Sequence, residues 1–217
     1  MARPSQNILS TRAIARAALA LVEKNGDFTI PGIAAVLNVN PSSLYHHLPG
    51  GRSAIISRMR EEVYDRIALD PLVDAKIPAL ERLRSWMRHV RVALAITPAA
   101  VNVLVAAPVQ DSRTLDIYET LFVILRDAGI PVEDRVVFSS MIDAVVLGSA
   151  LDAGSPSPLW CPRDESVPEI RSAAHHGDDT NRALKAFDLA IEAVIGAVIA
   201  TTSASVSPGS SLGHAPS

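Results

Sequence analysis

The residues best equipped for chemistry sit close together. From Thr29 to Leu48 the chain reads TIPGIAAVLNVNPSSLYHHL. Ser42, Ser43, Tyr45, His46 and His47 crowd hydroxyl, phenol and imidazole groups into one short run, with Asn40 and Pro41 before it and Arg52 shortly after. Such groups at the start of a helix can donate to phosphate oxygens or read base edges. They do not form an enzyme's constellation. The chain has no glycine-rich phosphate loop, nucleophile elbow, zinc-protease helix motif or clear carboxylate pair. A second, scattered set consists of His89, Asn102, Ser140 and Asp143, polar residues that interrupt otherwise apolar helical stretches. Burial obliges such groups to find partners or a ligand. Trp86, Tyr118, Phe122, Phe138 and Met141 are candidate walls for the same cavity. The run His175-His176-Gly177-Asp178-Asp179 offers metal-ligand types, but adjacent imidazoles point apart and the acids suit a helix cap, so no metal and no cofactor is expected. Cys161, the only cysteine, lacks a disulfide partner and a local activating base.

These residues must be positioned by helices. Ser10 caps a first helix carrying Ile14, Ala17, Ala18, Leu21 and Val22 on one face, stopped at Asn25-Gly26. Thr29 caps a second, with Pro31 in its first turn, where the missing donor costs nothing, and Ile33, Ala34 and Leu37 facing inward. Asn38 tolerates the left-handed turn, Val39 plugs the core, and Asn40 caps a third helix from Pro41 to about His47. After Pro49-Gly50-Gly51, a fourth helix is expected from Arg52 to Leu69, ended by Asp70-Pro71. Beyond Pro78, Leu80, Leu83, Met87, Val90 and Leu94 trace a regular apolar stripe. Further helices are expected at 99–106, 112–128 and 132–153. The last of these is apolar almost all round and therefore central. A long proline-bearing connection, 154–180, contains Trp160, which could close a cavity or anchor the loop. Leu184, Phe187, Ile191, Val194 and Val198 mark a final helix, and the Ser-, Gly- and Pro-rich tail from Ser203 is expected to be disordered.

Composition agrees with packed helices, since 48% of the chain is hydrophobic but only 4% aromatic. No run of about 18 apolar residues could span a bilayer. The N-terminus lacks a secretory signal, so a cytoplasmic location without membrane attachment is expected. The net charge of -3 hides an asymmetry. Residues 1–60 carry seven basic side chains against Glu23 and Asp27, a net +5, which leaves -8 for the remainder. A basic head and an acidic body fit a nucleic-acid partner at one end only.

The residues Thr29 to Leu48 make this sharper. Their order resembles the signature of the TetR family of transcriptional regulators: Thr, then Ile-Ala, a Gly-Val-Ser turn and a Leu-Tyr-x-His-Phe ending. Here Asn38, Asn40 and Leu48 replace the glycine, serine and phenylalanine, each keeping the physical role. The resemblance covers residues 10–60, about a quarter of the chain. It implies that Pro41, Ser42 and Ser43 face base edges, that Tyr45 and His47 touch the DNA backbone with exposed His46 between them, and that Thr29 meets a phosphate at a helix N-terminus. Arg52 resembles the family's basic residue opening helix four, although the preceding turn is one residue longer than usual.

The expectation is therefore an all-α chain with a tri-helical helix-turn-helix DNA-binding domain at 1–52, a larger helical ligand-binding and dimerisation domain at 53–202, and a tail at 203–217. Its expected partners are double-stranded operator DNA, a small-molecule effector, and a second copy. The copies would pair through the Val136 to Ala153 and Ala183 to Ala200 helices, where Ala144, Gly148, Ala193 and Gly196 permit close approach. A helical protein-protein adaptor is the competing reading. It leaves the polar display beside Tyr45, His47 and Arg52 without a purpose.

Overall fold

The computed structural model describes residues 9–155, 166–176 and 181–205, and among these the chain is all-helical. In helix α1, Thr11–Asn25, the Ser10 hydroxyl accepts from the Ala13 amide at 3.1 Å, and Gly26 at φ 78° ends the helix. Helix α2, Ile30–Leu37, begins where Thr29 Oγ1 accepts from the Gly32 amide at 3.0 Å. Asn38 then takes φ 53°, left-handed backbone to which asparagine is suited, and Asn40 caps helix α3, Pro41–His47. Local chemistry thus sets both turns. Packing fixes their angles: Ile14, Ala18, Val22, Phe28, Ile33, Leu44 and Leu48 are buried together. Each large side chain among them contributes about 1.5–3 kcal/mol by leaving water.

Helix α4, Gly51–Tyr64, is shorter than its apolar pattern suggests. Ile67 is buried as expected, but it is reached through a turn in which its amide donates to the Tyr64 carbonyl at 3.0 Å. Arg113 explains the early stop. Its guanidinium donates to the carbonyls of Tyr64 and Ile67, providing partners that a continued helix would have supplied. Asp70-Pro71 begins a single-turn helix α5, Asp70–Val73, whose Leu72 is buried; the proline sits in the first turn, where it fits.

Helix α6, Ala79–Ala95, buries Leu83, Met87, Val90 and Leu94 along the expected stripe. The segment 99–106 is not one helix. A 3-10 turn, Pro98–Ala100, leads into the short helix α7, Val101–Leu104. Helix α8, Ser112–Asp127, is capped by Asp111, which accepts from the Thr114 amide at 2.9 Å. Helix α9, Arg135–Asp152, packs against α6 and α8. Helix α10, Pro168–His176, lies within the long connection, and helix α11, Arg182–Ser205, packs on α9 and α6. Two ion pairs, Arg84–Glu192 and Arg88–Asp188, also tie α11 to α6.

Two further expectations change. Helix α9 is not covered all round, because Val136 and Val137 remain exposed in the single chain. Helix α11 also continues through Ser203 to Ser205. Trp160, Cys161, residues 177–180, the side chains of His175 and His176, and the tail after 205 lie outside the described residues.

Candidate DNA interface and ligand cavity

The head displays one face of α3 to solvent. Pro41, Ser42, Tyr45, His46 and His47 are exposed, and Tyr45 is 54% exposed despite its ring. Leu44 and Leu48 hold the opposite face in the core. Asn40 Oδ1 accepts from the Ser42 amide at 3.0 Å and from its hydroxyl at 2.9 Å, so Ser42 reaches outward mainly through its remaining lone pairs. Ser43 is half-buried. Thr29 is exposed beside the α2 N-terminus while its oxygen caps the helix.

Arg52 stands in the first turn of α4, and its guanidinium is engaged within the fold. One guanidinium nitrogen lies 2.6 Å from Asp27 Oδ1 and another donates to the Phe28 carbonyl at 2.9 Å. Its carbon stands 4.4 Å from the centre of the Phe28 ring. The arginine therefore closes the α1–α2 turn onto α4, and its hydrogen bond holds the Asp27 carboxyl below the usual carboxylate range. The turn with the extra residue is possible because Gly50 and Gly51 both take positive φ, at 117° and 58°.

The basic head also needs correction, because cutting the chain at residue 60 separates partners. Arg12 and Arg16 lie 2.8 and 2.7 Å from the two oxygens of Glu62, Arg58 pairs with Glu61, and Arg60 pairs with Asp111. All those acids follow residue 60. Burial alone would raise the Glu62 carboxyl, but the two arginines outweigh it and hold the group below its ordinary range. Much of the head's positive charge is thus matched within the fold. The α3 face offers hydroxyls and imidazoles in place of a broad cationic field.

The second site is a cavity of about 270 Å³ between the head-proximal end of the body and α4. Leu94, Val101, Leu104 and Leu147 supply apolar walls, while exposed Val105 and Val109 form a rim. Arg60 and Tyr64 enter from α4, Thr114 and Tyr118 from α8, and Asp143 from α9. The Tyr118 hydroxyl donates to the Asp143 carboxylate, 3.0 Å from both oxygens. Burial pushes the Asp143 carboxyl up to about 6, against the opposing effect of that hydrogen bond. The Tyr64 and Tyr118 phenols are likewise pushed up, first by burial and then by the negative charge of Asp143. Trp86 stands one layer behind, its Nε1 donating to the Ile117 carbonyl at 3.0 Å and its ring centre 6.4 Å from that of Tyr118.

Of the nine residues expected around a ligand, the cavity collects Tyr118 and Asp143, with Trp86 as support. Phe138 is buried and Phe122 and Met141 are half-buried, but none lines this space. His89, Asn102 and Ser140 are corrected: all three face solvent. His89 points away from the α6 stripe, Asn102 falls between inward Val101 and Val103, and Ser140 donates back to the Val136 carbonyl at 3.0 Å. Arg60, Tyr64 and Thr114 line the cavity without having been expected there, and Asp111, the partner of Arg60, was not foreseen either. Arg60 and Tyr64 are one turn apart on α4, a spacing that could have flagged a shared face.

A helix-turn-helix head joined to a helical body with a cavity defines a class of DNA-binding regulator. The family model for the tetracyclin repressor-like C-terminal domain matches residues 79–193. The chain belongs to the TetR family of transcriptional regulators. A possible TetR family transcriptional regulator from Streptomyces coelicolor A3(2) is similar in structure, with TM-score 0.73 and 18% identity over 88% of this chain and 99% of that one. ActR from Streptomyces coelicolor, in a complex with actinorhodin, gives TM-score 0.70 and 16% identity over 89% and 97% of the two chains. BioQ with its natural double-stranded DNA operator gives TM-score 0.63 and 17% identity over 88% and 99%. No curated protein sequence matches the chain.

Proposed function

We propose that this chain is a homodimeric repressor that binds a near-palindromic operator in the cytoplasm and leaves it when a small molecule fills the cavity. The observation that carries the reading is the exposed α3 face, where Pro41, Ser42, Tyr45, His46 and His47 stand clear of a core held by Leu44 and Leu48. Two such helices about 34–36 Å apart would enter successive major grooves. BioQ on its operator and ActR with actinorhodin are structural neighbours that support the two halves of the proposal.

The dimer would form on α9 and α11. Val136, Val137, Leu184, Leu189 and Ile199 are exposed there, and Leu189 is 74% exposed. Unpartnered apolar surface of that kind favours association. Release requires the effector to prefer the arrangement that cannot bind DNA. Helix α4 is the proposed lever, since Arg60 lines the cavity while Glu62 holds Arg12 and Arg16 of α1.

Selection of bound fragments from random DNA tests the reading, followed by titration of the recovered fragment with and without a metabolite panel. Enrichment of a two-fold-symmetric sequence, lost on adding one metabolite, is the expected result. Retention of no fragment would overturn it and favour an adaptor.

A further inference from the structure

We infer that the cavity takes a small apolar molecule bearing one cationic nitrogen, with Asp143 as its counter-ion; this rests on reading the cavity as the effector site. The cavity holds one unmatched charge. The cavity's own cation is already engaged. Arg60 Nε lies 3.1 Å from Asp111 Oδ2, Nη1 donates to the Ala107 carbonyl at 2.9 Å, and Nη2 donates to the Pro108 carbonyl at 2.7 Å. Nε pairs with Asp111 by charge and makes no hydrogen bond, while both terminal nitrogens are held by backbone carbonyls; with its charge matched in this way, Arg60 has less to offer an anionic ligand than a free cation would.

Asp143 is the opposite case. Its carboxylate receives the Tyr118 hydroxyl, and among the described residues no arginine, lysine or histidine forms an ion pair with it. A largely desolvated carboxylate with one neutral donor keeps strong attraction for a cation. Thr114 adds a second observation: its side chain is fully buried on the cavity wall and Oγ1 has no hydrogen-bond partner. A protonated amine brings several donors, enough for the carboxylate and a hydroxyl together. An anion would meet like charge at Asp143. A neutral ligand would leave the carboxylate unmatched. A metal ion would need several oxygen ligands, and one carboxylate does not supply them.

Size narrows the class. About 270 Å³ lies below the range of roughly 300–1,000 Å³ usual for drug-sized ligands. The walls from Leu94, Val101, Leu104 and Leu147 ask for a compact hydrocarbon or aromatic body.

Calorimetric titration of the full chain, without DNA, against phenylbutylamine, phenylbutanol and phenylbutyrate tests this, because the three share a body and differ in head charge. The amine is expected to bind about ten- to a hundredfold more tightly than the alcohol, the range of a charge-assisted hydrogen bond, and the acid not at all. In Asp143→Asn the amine is expected to lose its advantage and fall to the level of the alcohol, whose retained binding reports an intact cavity. Equal binding of amine and alcohol, preference for the acid, silence of all three, or an unchanged ranking in Asp143→Asn would each overturn the inference. The wild-type ranking remains decisive if that variant does not fold. Operator release is measured separately. A neutral or anionic effector acting through this cavity would sink the inference and leave the proposed function standing; failure to select DNA would sink the function alone.

Discussion

Replacing Arg60 with methionine should cost more stability than any surface charge in the chain. Arg60 and Asp111 side chains are only 4% and 1% exposed. The guanidinium satisfies the carbonyls of Leu104, Ala107 and Pro108 in addition to facing the Asp111 carboxylate. Methionine fills similar volume but leaves that carboxylate and those carbonyls in a poor solvent. Removing one partner of a buried pair costs about 3–5 kcal/mol, a large part of the roughly 5–15 kcal/mol that holds a typical domain together. Asp111→Asn should be milder, about 1–3 kcal/mol, because the amide oxygen can still cap α8 through the Thr114 amide. The two changes should not add. With the carboxylate gone, methionine strands only carbonyls, so the double variant should be more stable than the sum of the single losses implies, by about 1–3 kcal/mol. Urea unfolding followed by circular dichroism at one fixed protein concentration measures all four species. A loss below about 1 kcal/mol for Arg60→Met, or simple additivity in the cycle, would refute the claim that Arg60 is a buried structural cation.

Other consequences are equally direct. Glu62→Gln should lower stability by about 1–2 kcal/mol, since it removes a charge shared by Arg12 and Arg16; the loss, read by thermal melting, should shrink as pH falls and the wild-type carboxyl itself protonates. Asp143 works in the other direction. Its folded carboxyl titrates near 6, above its unfolded value, so its contribution to stability is complete below about pH 4 and lost as pH rises through about 6. Asp143→Asn should therefore be more stable than the wild type at neutral pH, with the gap closing in acid; Tyr118 and Tyr64 stay neutral throughout and Arg60 stays paired with Asp111. Tyr45→Phe should weaken operator binding about fivefold without changing the slope against salt, since a neutral hydroxyl releases no counterion; an altered slope in fluorescence anisotropy would show that the head's charge was disturbed instead. Leu189→Glu should convert the proposed dimer to monomers in sedimentation experiments while leaving helix content unchanged, because the side chain is exposed within one chain.

The head was legible because its determinants are local. Ser10, Thr29, Asn38 and Asn40 each act within three or four residues, and each cap or turn lies where its residue type places it. The body was legible only in part. The α6 stripe announces a buried face, but the end of α4 depends on Arg113, nearly fifty residues away, so no local pattern could set it. Charge misled for the same reason. Arg12 and Arg16 read as a basic surface, yet the acids that pair with them, Glu62 and Asp65, stand on and just after another helix. Polar residues on apolar helices were a fair guide where the helix turned them inward, as for Asp143, and a poor one for His89, Asn102 and Ser140, which fall on the solvent faces of α6, α7 and α9. A buried arginine leaves even less trace, because its residue type belongs to surfaces.

The position of Arg60 and Glu62 on α4 gives the proposed switch its physical content. Two residues on a helix differ by about 200° in direction, so the pair faces nearly opposite ways: Glu62 toward α1 of the head, Arg60 toward the loop between α7 and α8. Lying between two sites is not coupling. What matters is that the carbonyls held by Arg60 belong to residues that also form the cavity, Leu104 and Ala107. A molecule that moves this wall must either carry Arg60 with it or strand buried acceptors, and the second course costs several kcal/mol. Packed elements tend to answer such a choice by moving between discrete arrangements instead of yielding gradually. With Ile55, Ile56, Met59 and Val63 buried along its length, α4 should shift as one body, and α1 should follow through Arg12 and Arg16.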